Sequence, residues 1–215
     1  MPYIRAQANN YFGFFPVQGD LGHVQVSPYL VSSSEASSIN PGDVCVQTSI
    51  NTVRIITGAF VPTSSMAIVG VAASYVAANT GSTAALLNAN TSQMALIYDG
   101  PGQKFVACDT TSGVIGSQVG LFKNYAILAT GCIGSTGAFE GRRSSMAISG
   151  VTSTAAGAFH VVALHPIENN THSTVGAATA GSAVNVRKWI GVFTAQVMNQ
   201  GLSSAQLNTI ANTTS

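Results

Sequence analysis

The sequence predicts a mainly β protein, a sandwich or barrel of short antiparallel strands. Short runs of apolar and β-branched residues recur along the chain, and Gly, Pro, Asn and Asp separate them at intervals typical of turns. No long segment repeats apolar residues at a helical period. The best helical candidate is residues 203–210, where Ser203 or Ser204 could cap a turn or two. Many short strands without intervening helices favour a sandwich or a barrel.

Residues 1–40 show neither a strand period nor a helix period, and we predict an extended N-terminal arm there. The arm contains an aromatic cluster, composed of Tyr11, Phe12, Phe14 and Phe15. Aromatic side chains in a segment without periodic structure must become buried against the body of the chain or against a neighbouring subunit. These four residues are therefore the candidate docking residues.

A β-rich body is predicted over residues 41–200, with the Asn-Pro-Gly-Asp turn signal of residues 40–43 at its start. The strand candidates are, in order, 44–48, 53–61, 66–72, 94–98, 104–108, 125–130, 146–148, 160–164 and 186–197. The Asp-Gly-Pro-Gly sequence at 99–102 predicts a tight hairpin between the fourth and fifth of these. One continuous domain and two β subdomains divided near 110–120 fit the pattern equally well, and residues 201–215 form a short helix or a flexible tail.

Charge is scarce: Asp, Glu, Lys and Arg make up 7% of the chain, against roughly 25% in an average soluble domain. The formal net charge is only +1, and a net charge near zero favours association. Eight basic residues scattered over the chain are too few for a phosphate-binding surface, so nucleic acid is not an expected partner. No apolar stretch approaches the roughly 20 residues of a membrane span. The N-terminus lacks the pattern of a secretory signal, and synthesis in a cytoplasm is expected.

The three cysteines, Cys45, Cys108 and Cys132, show no CxxC spacing, and an odd number does not fit a closed disulfide framework. Apolar residues flank each of them. We expect buried, reduced thiols and no zinc site.

Residue pairs that could carry chemistry have simpler structural explanations. His160 and His165 are five residues apart at a predicted strand, so their side chains point to opposite faces, which is poor geometry for a shared metal. Asp99 and Asp109 flank the predicted hairpin, where Asp99 suits a turn. The sequence has no G-x-S-x-G nucleophile elbow and no phosphate-binding glycine loop. We expect no catalytic, cofactor-binding or metal-binding residues.

The order of motifs resembles the capsid decoration, or cement, proteins of tailed bacteriophages. The similar stretches are INPGDVCVQTS at 39–49, AIVGVAASYV at 67–76, MALIYDGPGQKFVA at 94–107, VGLFKNYAILATG at 119–131 and WIGVFTAQVMNQ at 189–200. The resemblance implies a β-rich protomer, commonly trimeric, that binds the outside of the capsid shell and stabilises it. Its implied partners are the major capsid protein and other copies of itself, and its implied location is the virion surface after assembly in the host cytoplasm.

Two other classes of function remain open at this point. One is a different virion component, such as a head fibre base, a tail protein or a shell protein. The other is a carbohydrate-binding β domain, for which Trp189, Tyr29 and Tyr75 are the candidate sugar-stacking residues. An enzyme, above all a hydrolase, is favoured no less than a carbohydrate-binding domain.

Overall fold

The computed structural model describes the chain in segments separated by gaps. The described residues are 13–17, 24–32, 35, 37–49, 51–60, 67–77, 93–100, 102–109, 121–129, 144–153, 157–166, 173–175, 184–186, 188–194 and 196. Tyr11, Phe12, Cys132, the helical candidate at 203–210 and the tail at 201–215 lie outside them.

In the described segments the regular secondary structure consists of β-strands alone, which confirms the mainly β prediction. The strands are β1 (Phe14–Pro16), β2 (Val26–Val31), β3 (Val44–Ser49), β4 (Thr52–Ile55), β5 (Ala59–Phe60), β6 (Ile68–Ala72), β7 (Met94–Tyr98), β8 (Phe105–Cys108), β9 (Asn124–Leu128), β10 (Ala147–Ser153), β11 (Phe159–Leu164), β12 (Ser173–Val175), β13 (Val184–Val186) and β14 (Lys188–Phe193). Two strand candidates each correspond to a pair of strands. The candidate 53–61 overlaps β4 and β5, and the candidate 186–197 overlaps β13 and β14.

Five strands close into a barrel in the order β2-β4-β3-β6-β7. All neighbouring pairs are antiparallel except β2 and β4, which run parallel. Alternate side chains of these strands point inward and form one apolar cluster. Its fully or almost fully buried members are Ile39, Cys45, Val53, Val69, Ala72, Val76, Ala95 and Ile97.

Six strands of a seven-stranded sheet have the order β1-β8-β14-β11-β9-β10. The seventh strand, β5, pairs with the end of β9. The sheet curls, because Asp109 at the end of β8 forms a parallel bridge with Ile148 of the edge strand β10. Its concave core contains four packed aromatic rings, with the centroid of Phe193 4.9 Å from that of Phe105 and 5.6 Å from that of Phe159. Strands β12 and β13 pair separately as a two-stranded ribbon.

The barrel and the curled sheet share one apolar core. Val44 and Val46 of β3, with Ile68 and Val71 of β6, point out of the barrel and join the same buried cluster as the aromatic rings of the sheet. Strand β6 and residues 44–46 of β3 are therefore buried on both faces, which explains their continuous apolar sequences. We call this shared region the seam.

A glycine in the barrel wall permits the close approach of two strands. A Cβ atom at Gly70 of β6 would overlap the carbonyl oxygen of Tyr98 on β7. The absence of a side chain therefore fixes how tightly β6 and β7 pair on the seam side of the barrel.

The turn predicted at 40–43 is present and leads into β3. The backbone N–H of Asp43 donates to the Asn40 carbonyl at 3.0 Å, and Gly42 has a φ of 94°. Proline followed by glycine at positive φ is the arrangement of a type II turn.

The predicted hairpin at 94–108 is wrong. Strand β7 pairs with β2 and β6 in the barrel, whereas β8 pairs with β1 and β14 in the sheet. The turn itself exists, since the Gln103 N–H donates to the Gly100 carbonyl and Gly102 has a φ of 69°. It carries the chain from one sheet to the other instead of folding two strands onto each other.

The described part of residues 1–40, predicted as an extended arm, contributes strands to both the sheet and the barrel. Strand β1 pairs with β8 in the sheet, and β2 closes the barrel against β7. Proline in both strands and the low regularity of the segment hide these short strands from a reading of periodicity.

Candidate docking surface

The largest group of adjacent exposed apolar side chains in the described residues lies on the outside of the barrel. Strands β2 and β7 pair there with Pro28 opposite Leu96 and Leu30 opposite Met94. Val26 continues the row on β2. These five side chains, Val26, Pro28, Leu30, Met94 and Leu96, are all exposed, and Met94 and Leu96 are 57% and 46% exposed. We call them the apolar ribbon.

The apolar ribbon follows from strand alternation. Tyr29 of β2 and Ala95 and Ile97 of β7 point into the barrel or its lining, so the residues between them must point outward. In most half-buried strands those outward positions are polar. Here they are apolar, and side chains directly opposite each other on an antiparallel pair lie close enough to form one surface.

Pro28 fits in the middle of this surface without loss of a strand hydrogen bond. The N–H groups of Leu30 and Ser32 point toward β4 and its preceding turn, where they donate to Asn51 and Val53. By alternation, the ring nitrogen of Pro28 lies on the same side, before β4 begins its pairing at Leu30. A proline is tolerated where no ladder bond is needed.

The apolar ribbon lies on the side of the barrel that the seam does not cover. The outward side chains of β6 and of the first half of β3 are buried in the seam, whereas Thr48 near the end of β3 and the outward side chains of β2 and β7 remain exposed. Tyr98, opposite Val26 on β7, is partly buried against the shared core and marks the border. Within the described residues the protomer thus leaves this face open.

A short segment after β6 runs beside β7 and fixes its edge. The Ala73 N–H donates to the Leu96 carbonyl at 2.7 Å, and the Leu96 N–H donates to Ser74 Oγ at 3.0 Å. Tyr75, next along the chain, is 40% exposed. Both backbone groups of Leu96 are therefore satisfied, and only its side chain is left for contact with another molecule.

The described candidate docking residues of the N-terminal segment lie in the sheet. Phe14 is fully buried, and its ring centroid is 5.3 Å from that of Phe159. Phe14 is therefore a core residue, and its prediction as a docking residue is wrong. Phe15 is half-buried and pairs in register with Val106. Burial against the body of the chain, one of the two alternatives for these aromatics, applies to Phe14.

The histidines considered for metal binding have separate surroundings. His160 Nδ1 lies 2.6 Å from the side-chain oxygen of Asn124 on the neighbouring strand β9. His165 follows β11, where burial and then the positive charge of Lys188 lower the pKa of its imidazole. A lowered pKa keeps the ring neutral over a wider pH range.

The two aspartates considered for acid–base chemistry bond different groups on different sheets. Asp99, at the end of β7, accepts a hydrogen bond from the Tyr29 hydroxyl at 2.9 Å. Burial, followed by this hydrogen bond and the charge of Asp99, raises the pKa of Tyr29 to about 12. Asp109, at the end of β8, is fully buried and accepts a hydrogen bond from Trp189 Nε1 at 3.2 Å.

Trp189 is fully buried in the shared core, so it cannot stack on a sugar ring at the surface. Tyr29 packs against the barrel core and bonds Asp99. Of the three aromatics considered for carbohydrate binding, only Tyr75 is exposed.

The described cysteines lie in the interior of the protein. Cys45 and Cys108 are both buried, and burial raises the pKa of the Cys45 thiol far above its usual range. No group of three or more His, Cys, Asp and Glu side chains in the described segments is arranged to hold a metal ion. Among the same residues, no helix has the length and apolar character needed to cross a membrane.

No protein-family model matches this chain, and no curated protein sequence matches it.

The sequence contained a signal for the apolar ribbon that strand prediction did not use. The run Met94–Tyr98 is apolar at every position, although a strand with one wet face normally alternates. Such a run indicates burial on both faces. The barrel buries one face of β7 and leaves the other open, which is a reason to expect a partner there.

Proposed function

We propose that this chain is a structural virion protein that binds the outside of a tailed-phage capsid shell and stabilises it. The observation that carries the proposal is the apolar ribbon. Exposed apolar surface costs roughly 25 cal/mol per Å² relative to burial, and contiguous exposed apolar patches mark sites of contact with other proteins.

The composition supports a role in an assembly. Only 7% of the residues are charged, and the formal net charge is +1. The cores of protein interfaces are depleted of Lys, Glu and Asp, and low net charge weakens the repulsion between neighbouring copies. A protein held in a lattice gains from both properties.

The seam supports a role in which the protomer resists mechanical deformation. Barrel and sheet are joined by one apolar core and by backbone bonds, such as that from the Phe14 N–H to the Gly42 carbonyl at 2.9 Å. A close-packed interior has low compressibility and transmits strain. A protomer built in this way resists deformation between its two sheets.

In this role the partners are the major capsid protein and other copies of the chain in a homotrimer. The location is the surface of the virion, reached after assembly in the host cytoplasm. The role requires no chemical reaction, cofactor, nucleic acid or membrane.

The test is the heat resistance of shells with and without added protein. A ligand that binds the assembled shell but not its dissociated parts raises the disruption temperature by mass action. We expect saturating protein to raise that temperature, and Leu96→Glu in the apolar ribbon to reduce the protection. Thr48→Glu is the matched control, because Thr48 is an exposed strand residue of the same barrel outside the apolar ribbon.

Shells that show no protection at saturating occupancy would overturn the proposal. Binding to tail or fibre particles instead of shells would assign the chain to another virion component. Retention on immobilised glycans that is lost in Tyr75→Ala would favour carbohydrate binding.

A further inference from the structure

We infer that the apolar ribbon forms a two-fold contact between two copies of this chain. The inference rests on the proposed function, because it names the partner of the same surface. A trimer that forms through another surface remains compatible with it, since the apolar ribbon would then link protomers of adjacent trimers.

The chemistry of the apolar ribbon restricts its partner. It presents only Val, Pro, Leu and Met side chains, which cannot pair with a charge. A partner face rich in Lys, Asp or Glu would lose hydration without compensation. The partner must therefore offer an apolar, uncharged face, and a second copy offers one of matching area. With a net charge of +1, two copies meet little electrostatic repulsion.

The geometry of the strand pair suits a contact with itself. Sheets that pack face to face lie about 10 Å apart with interdigitating side chains. In a two-fold contact the same patch is used on both copies, and residues near its centre meet their own counterparts. Pro28 and Leu96 form the central cross-strand pair, with Leu30 and Met94 at one end and Val26 at the other.

The size of the apolar ribbon predicts a weak contact in solution. Five partly exposed side chains offer on the order of a few hundred Å², whereas a stable interface buries about 800 Å² per partner. The contact should therefore depend strongly on concentration. On a shell, neighbouring copies have an effective concentration in the millimolar range, at which a weak contact is occupied.

The first test is sedimentation of the full chain over concentrations up to about 1 mM, where a weak contact should be visible. We expect the average mass to rise reversibly with concentration. Leu96→Glu should raise the dissociation constant by on the order of 100-fold, because one substitution buries a charge in both copies of a two-fold contact. Thr48→Glu should leave the dissociation constant unchanged.

The second test is disulfide trapping in a Cys132→Ser background, in which the described cysteines are buried. Leu96→Cys keeps the surface apolar and places a thiol near the proposed two-fold axis. Under mild oxidation we expect a covalent dimer. Phe122→Cys is the control, because Phe122 is 72% exposed on a turn of the curled sheet and should give no such dimer.

The two proposals fail in different ways. A wild-type mass that is constant up to about 1 mM, or a self-association that Leu96→Glu leaves intact, would overturn the two-fold contact. If Leu96→Glu then still abolished protection of shells, the apolar ribbon would bind the shell and the proposed function would stand. Self-association through the apolar ribbon without any protection of shells would support the contact and overturn the function.

Discussion

Asp43 is a buried carboxyl at the seam and has another acid nearby. It accepts a hydrogen bond from the Asn40 N–H at 2.7 Å. Burial raises the pKa of Asp43, and the charge of Glu35 adds to the rise, although hydrogen bonds from Ser144 and Asn40 oppose it. Glu35 is itself buried and accepts hydrogen bonds from the Ser37 and Ile55 N–H groups, both at 3.0 Å. The charged form of Asp43 is therefore less favourable in the folded state than in the unfolded state.

The first prediction concerns the dependence of stability on pH. A carboxyl whose folded pKa is raised stabilises the fold below its unfolded pKa, and that contribution is lost as pH rises through the folded pKa. Asp43→Asn removes this loss. We expect its melting temperature, relative to wild type, to increase as the pH rises above about 4. Calorimetry or circular dichroism at several pH values measures the difference, and a flat or falling difference would contradict the assignment.

At the scale of elements, Gln196 bonds the backbone where the chain crosses from the barrel to the sheet. Its side-chain Nε2 lies 3.2 Å from the carbonyl oxygens of Val69 and Asp99 and 3.4 Å from that of Gly100. The residue is fully buried and also forms a parallel bridge with Ile68. One amide thus connects β6 to the end of β7, where the chain leaves the barrel.

The second prediction is that Gln196→Leu destabilises the protein by about 2–4 kcal/mol, because buried carbonyl groups lose their donor. Gln103→Leu is the matched control. The Nε2 of Gln103 donates to the Val17 carbonyl at 2.7 Å in a partly buried site, where water can replace the lost donor. We expect a cost of about 1 kcal/mol or less there. Denaturant unfolding gives both values, and equal costs would show that the buried hydrogen bonds of Gln196 contribute no more stability than the partly buried one of Gln103.

Local sequence predicts the strands better than their partners. The strand at Met94–Tyr98 begins and ends where its apolar run does, and the turn at 40–43 follows from Pro and Gly. The partner of β8 could not be predicted in this way, because β1 and β14 lie far away along the chain. Phe14 was misassigned for the same reason: its burial depends on aromatic residues from distant strands. The position of the apolar ribbon could be predicted only with the barrel known, because the barrel determines which face of β7 is covered.

For the whole molecule, the decisive property is the continuity of the core. The same buried cluster contains Val46 and Ile68 from the barrel and Phe159 and Trp189 from the sheet. Neither sheet can lose its packing without exposing apolar surface of the other. Separate unfolding of the two is therefore costly.

The third prediction is a single cooperative unfolding transition in calorimetry, with equal calorimetric and van't Hoff enthalpies. Val46→Ala on the barrel side and Phe159→Leu on the sheet side should both lower that single melting temperature. Each substitution should reduce the free energy of unfolding by about 1–3 kcal/mol. Two resolved transitions, each shifted by only one of the substitutions, would show that barrel and sheet unfold independently.

The order of strands in the curled sheet also has a consequence for biosynthesis. Strand β8 lies between β1, near the start of the described chain, and β14, near its end. A nascent chain that does not yet include β14 holds β8 and β11 without a shared neighbour, so the sheet is completed only after β14 has emerged. Pairing between such distant segments is slow, since loop closure must come before the contacts that reward it. The unfinished chain therefore exposes the aromatic residues of its core until β14 pairs, and its yield in cells should depend more on temperature and chaperones than on the stability of the finished fold.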